Sequence, residues 1–202
     1  IHATKDGDAN VAKYDFAASP NAILIGDGDG FFLQNLTTDS DVVSHEYSHH
    51  VIYKNLTKIS GESLVLHEGL ADYFTFARTG DSCLGESVCP AGSSVQCAID
   101  TKCLRSAEND FRFGSDELPD EVHLRSQFVS GMIWDLTAKD KIATVDVAKL
   151  TLSAVSYLKS NSGYKHLVLA LLIADQNLYG GNNCKKIYAR AVERGLGNLI
   201  TE

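Results

Sequence analysis

The segment His45-Glu46-Tyr47-Ser48-His49 constrains this chain more than any other. Residues four apart share one face of an α-helix, so a helix here sets two imidazoles side by side. Such a pair can hold one Zn²⁺ at about 2.0–2.1 Å from each ring nitrogen. Glu46 follows the first histidine and can reach a metal-bound water without ligating. A catalytic zinc needs a third protein ligand and one open position. Glu68 can supply the third, 19 residues beyond His49 on the next predicted helix. Asp72 lies four residues further on the same face, where a carboxylate can accept from the distal nitrogen of a ligand histidine and orient it. Given this chain's His and Glu content, a chance HExxH falls in roughly one such chain in a hundred, and the added Glu and Asp make chance rarer still. The bland reading, an exposed amphipathic helix with solvated histidines, is therefore disfavoured.

The surrounding pattern is helical. Val42, Val43, His45, His49, Ile52 and Tyr53 recur at helical spacing, and Asp39, Ser40 or Asp41 can cap the start. A second helix is predicted over 62–77, and others near 125–138, 145–158, 165–177 and 184–194, punctuated by Gly163, Gly180-Gly181 and Gly195. Upstream, Ala22–Ile25 reads as a strand, Gly26-Asp27-Gly28-Asp29-Gly30 as a tight turn and 31–36 as a second strand. The Asp-Gly alternation also suggests a calcium loop. Such a loop needs a glutamate at its twelfth position, where Thr38 stands, so the turn is preferred. The expected class is α+β: a β-containing N-terminal lobe over 1–61 ending in the zinc-binding helix, then a mostly helical lobe over 62–202 carrying a cysteine-rich loop at 83–103.

A net charge of −8 argues against nucleic acid as a partner. No apolar run reaches membrane-span length; the most apolar stretch, 167–174, is far too short. No signal peptide stands at Ile1, and the abrupt start suggests a mature or trimmed form. Four of the five cysteines, Cys83, Cys89, Cys97 and Cys103, fall within 21 residues and form no CxxC pair. Disulfides stapling a surface loop are thus favoured over metal binding, with three pairings open and Cys184 either free or paired into the cluster. An oxidising compartment follows, hence a secreted, periplasmic or extracellular protein.

These residues resemble the thermolysin-like and fungalysin-like zinc peptidases, the gluzincin group. The likeness extends past the zinc motif to Ile25-Gly26-Asp27-Gly28-Asp29-Gly30, to Asp41-Val42-Val43-Ser44 before His45, and to Glu68-Gly69-Leu70-Ala71-Asp72. It implies a zincin-like fold with the active-site cleft between the lobes. It also implies that Val122-His123-Leu124-Arg125-Ser126 carries the transition-state histidine, with Asp120 orienting His123. Leu104-Arg105-Ser106 resembles a segment whose arginine contacts a substrate carbonyl. Asn21 and Ala22 match an Asn-Ala on an edge strand that binds substrate backbone. Segment 130–136, around Trp134, and the Arg194-Gly195-Leu196 ending look fungalysin-like.

The departures have consequences. Only 44 residues precede the first zinc histidine, so the cleft wall on that side is reduced or the chain is a fragment. Ile59 falls near the position of an oxyanion-stabilising tyrosine, and Arg78 and Thr79 stand where calcium-binding acids would be, so one zinc and no calcium is expected. The implied activity is that of a zinc endopeptidase on peptide or protein substrates. Glu46 would act as general base, with a pro-segment removed on maturation and a monomeric state. One rival is a zinc aminopeptidase, which needs a Gly-x-Met-Glu-Asn sequence absent around Met132. Another is a non-catalytic zinc-stabilised module, for which Glu46 has no use. His2, His50, His67 and His166 read as structural or solvated.

Overall fold

The computed structural model describes residues 7–91 and 103–200; Ile1, His2 and Cys97 lie outside them. Among the described residues the elements are β1 (Ala12–Asp15), β2 (Ala22–Ile25), α1 (Ser40–Tyr53), α2 (Glu62–Thr79), β3 (Cys83–Leu84), β4 (Arg105–Ser106), α3 (Val122–Arg125), α4 (Gln127–Ala138), α5 (Thr144–Val155), α6 (Tyr164–Tyr179), α7 (Cys184–Glu193) and α8 (Gly197–Ile200). The architecture is α+β, as the patterning implies. No helix among these residues is long and apolar enough to cross a membrane.

Helix α1 starts where Asp39 accepts the backbone N–H of Asp41 at 2.9 Å, satisfying one of the unpaired donors of the first turn. Its buried face is largely polar: Asp41, His45, Glu46, Ser48 and His49 sit beside Val42 and Ile52. Hydrophobic drive alone does not explain burying that face, and the polar groups must find partners. The neighbour is α2, buried from Val65 to Tyr73 on every side, as a central helix must be. The main core joins Ile52 and Leu56 to Leu66, Leu70, Phe128, Ile133 and residues of α5 to α7. Val42, at the other end of α1, packs into a smaller cluster with Leu33, Leu36 and Val88. Helix α1 therefore contributes to both cores.

β1 and β2 form an antiparallel hairpin with Ala12 opposite Ile25 and Asp15 opposite Ala22. Residues 31–36 do not form the expected strand. Asp29 turns its carboxylate onto the N–H groups of Phe31 and Phe32, both at 2.8 Å, and curls the chain there. Gly28 and Gly30 take positive φ in the same turn, leaving a single bridge between Gly28 and Gln34. β3 and β4 pair antiparallel, closed by a disulfide between Cys83 and Cys103. Cys89 is also disulfide-bonded and Cys184 is free.

Candidate metal centre

The i, i+4 spacing on α1 and the buried start of α2 bring three side chains to one point. His45 Nε2 and His49 Nε2 are 3.0 Å apart. Glu68 Oε2 lies 3.1 Å from the first and Oε1 3.5 Å from the second. Four donors placed tetrahedrally at zinc bond lengths stand roughly 3.3 Å from one another, and these separations bracket that value. Glu68 Oε2 is buried with no hydrogen-bond donor of its own, the condition of an atom waiting for a cation. The donor set therefore fits one zinc ion.

The electrostatics agree. Burial alone would depress His45, but the carboxylates of Asp72 and Glu68 that its ring nitrogens face lift it to about 10. Burial and then the His45 charge depress His49 to about 3. Burial works against ionisation of Glu68, yet the two histidines hold its carboxyl well below the usual range. Two buried carboxylates thus hold a positive charge on His45, and a metal must displace that proton to bind.

Each ligand histidine has a partner for its other nitrogen. His45 Nδ1 lies 2.8 Å from Asp72 Oδ1. Asp72 is itself gripped by Arg105, whose Nε donates to Oδ2 at 2.7 Å and Nη2 to Oδ1 at 2.8 Å. Two of the three guanidinium nitrogens are thus committed to Asp72, so Arg105 braces the metal site as well as lining the cleft. His49 Nδ1 faces His67 Nδ1 at 3.3 Å. The sequence reads His67 as structural or solvated. The residue before Glu68 lies on a different α2 face, but α1 packs close enough for His49 to reach it.

Glu46 is buried, and burial raises its carboxyl above the ordinary value against the pull of His45; the Tyr14 backbone N–H also bonds to it. His123, on the single turn of α3, is exposed at the cleft and brings Nε2 to 3.7 Å from Glu68 Oε2. Its Nδ1 lies 2.6 Å from Glu121, not Asp120. Asp120 instead accepts from Arg125 at 2.6 Å and is fully exposed. Glu121 caps α3 through the Leu124 N–H at 2.9 Å, and that cap aims its other oxygen at His123.

The cleft is a cavity of about 490 Å³ bordered by His45, Glu46, Arg105, Glu121 and His123, with Asn10, Val11 and Ala12 along one side. Asn21 and Ala22 do not border it. Asn21 donates to the Tyr14 hydroxyl at 2.6 Å, and Ala22 lies on β2, behind β1. The Val11 carbonyl accepts from Gly26, on the β2 side, whereas the Tyr14 N–H meets Glu46. Backbone groups alternate sides along a strand, so those of Ala12 face the cleft as Tyr14 does. A dipeptide match cannot tell which of the two hairpin strands borders the cleft; the packing of β1 against α1, where Tyr14 meets Glu46, decides it.

This arrangement has known counterparts. No family model matches the chain. It is 24% identical over 184 residues to neutral protease NprE of Bacillus pumilus, covering 88% of this chain and 61% of that protein. It is likewise 24% identical to bacillolysin of Bacillus subtilis, over 88% of the chain and 35% of the relative. The precursor of protealysin, a metalloproteinase from Serratia proteamaculans, superposes with a TM-score of 0.71 at 18% identity, covering 86% of this chain and 62% of that one. The fold is thermolysin-like, and the chain resembles the thermolysin-like zinc metallopeptidases. It spans less than two thirds of the length of each of these relatives.

Proposed function

We propose that the chain is a zinc-dependent endopeptidase. The convergence of His45, His49 and an orphaned Glu68 oxygen beside a buried Glu46 is the observation that carries this reading. Zinc held by those three side chains would supply a water of lowered pKa and polarise the scissile carbonyl. Glu46 takes the water proton and delivers it to the leaving amine, a task suited to a carboxyl raised by burial. His123, oriented by Glu121, donates to the developing oxyanion, a contribution of about 2.7–4 kcal/mol for such donors. Ala12, on the cleft edge of β1, pairs with an extended substrate backbone by strand addition. The third guanidinium nitrogen of Arg105 meets a substrate carbonyl. Leu33, Leu36, Val42, Leu84 and Leu104 line the cavity, which supports a large apolar side chain next to the cleaved bond. Extracellular action and a removable pro-segment belong to the same reading. The Cys83–Cys103 bond and the likeness to a protease precursor support them.

The test combines zinc content with cleavage of a peptide blocked at both ends, with and without chelator. Glu46→Gln is expected to retain zinc and lose hydrolysis. Retained hydrolysis would remove Glu46 as the base, and cleavage only of free-amine peptides would favour the aminopeptidase reading.

A further inference from the structure

Two histidines that meet through the same ring nitrogen cannot both donate, and the geometry decides which one does. His67 is completely buried on α2. Its Nε2 lies 2.5 Å from the carbonyl oxygen of Leu56, in the segment leaving α1. A carbonyl only accepts, so the proton sits on His67 Nε2. A neutral imidazole carries one ring proton, which makes His67 Nδ1 an acceptor. The facing His49 Nδ1, at 3.3 Å, must then be the donor. That leaves the His49 Nε2 lone pair directed at His45 Nε2 and Glu68. The opposite tautomer of His67 would leave the buried Leu56 carbonyl unmet and put the His49 proton on the nitrogen that faces the site.

We propose that His67 is a positioning residue. It forms the middle of a relay, from Leu56 carbonyl to His67 to His49, that fixes the His49 tautomer and aims its Nε2 at the metal position. The two ligand histidines are thus held by different chemistry, His45 by the Asp72 carboxylate and His49 by a neutral imidazole. The ring of Phe16 lies edge-on to both His49 and His67, with centroids 6.2 and 5.7 Å away. It covers the pair with an apolar surface that offers no competing acceptor. Partners of this kind typically change metal affinity about 10–100-fold when removed.

The proposal rests on the zinc reading, and its test separates the two. Three variants of the full chain divide the functions of His67. In His67→Asn the side-chain oxygen stands at the depth of Nδ1 and can still accept from His49. In His67→Gln the amide nitrogen stands at the depth of Nε2 and keeps only the contact with Leu56. His67→Leu keeps neither. Zinc affinity is read by competition with a chromophoric chelator. His67→Asn is expected to stay near wild type, and His67→Gln to fall with His67→Leu by about 10–100-fold. A glutamine variant binding like wild type would overturn the relay. Long-range proton–nitrogen NMR of the metal-free wild-type chain gives a second reading that needs no variant. It should find the proton on Nε2 of His67 and Nδ1 of His49; a proton on Nδ1 of His67 would also overturn the relay. Wild-type protein that takes up no zinc while showing these tautomers would sink the zinc reading alone.

Discussion

Gly69→Ala tests whether the position of Glu68 is set by how closely α2 approaches α4. A Cβ at Gly69 would lie 2.6 Å from Val129 Cβ, 2.8 Å from Val129 Cγ1 and 2.9 Å from the Ser126 carbonyl oxygen. Carbon atoms pack at about 3.5–4.0 Å, so the two helices must part by roughly 1 Å. No rotamer change relieves the contact, because Cβ of Val129 is fixed to its backbone. Overpacking of this kind costs about 1–3 kcal/mol. Replacing a mid-helix glycine by alanine returns about 0.8–1.0 kcal/mol. The clash wins, leaving a net loss of up to about 2 kcal/mol, or a Tm lower by up to about 8 °C at about 2–4 °C per kcal/mol for a chain this size. Glu68 precedes Gly69 and moves with it, whereas metal sites tolerate only about ±0.2 Å. Thermal unfolding with and without zinc, alongside chelator competition, should therefore show lost stability and weakened zinc binding together. Gly131→Ala is the control. Its Cβ would meet the Ala107 carbonyl and Arg194 Nη2, both at 2.9 Å and away from the metal centre; it should lose stability and keep its zinc affinity. A Gly69→Ala protein with raised Tm and unchanged zinc affinity would refute the reasoning.

Two further outcomes follow from the core. Arg194 is buried and donates from Nη2 to Asp135 at 2.8 Å and from Nη1 to Asn109 at 2.9 Å. Asp135→Ala leaves that guanidinium uncompensated, so denaturant unfolding should report a loss of about 3–5 kcal/mol; a negligible loss would mean Arg194 finds water instead. Tyr164 is pushed up to about 12 by burial and then by the Glu62 charge. A phenol raised above its unfolded value of about 10 stabilises the fold fully below that pH and loses its contribution as pH rises through the folded value. Stability should fall between pH 10 and 12, with a shallower slope in Tyr164→Phe. An unchanged slope would assign the alkaline loss to other groups.

The pairing of His45 with His49 and of Glu68 with Asp72 was legible in the sequence because residues four apart on a helix share a face, whereas the packing of α1 on α2 is what brings the two pairs together. The helices themselves were legible for the same reason: their caps, glycines and apolar spacing act within a few residues. Tertiary structure decided whatever depends on direction across elements. Glu121 rather than Asp120 meets His123 because the α3 cap turns it there. β1 rather than β2 borders the cleft because β1 is the strand that packs on α1, its Tyr14 N–H meeting Glu46. Residues 31–36 leave the strand path because the Asp29 carboxylate takes their N–H groups. His67 reaches His49 only because α1 and α2 pack together with its other nitrogen held by Leu56. Spacing along the chain specifies which side chains share a face, whereas the atom each one finally meets is set by the neighbouring element that burial presses against it.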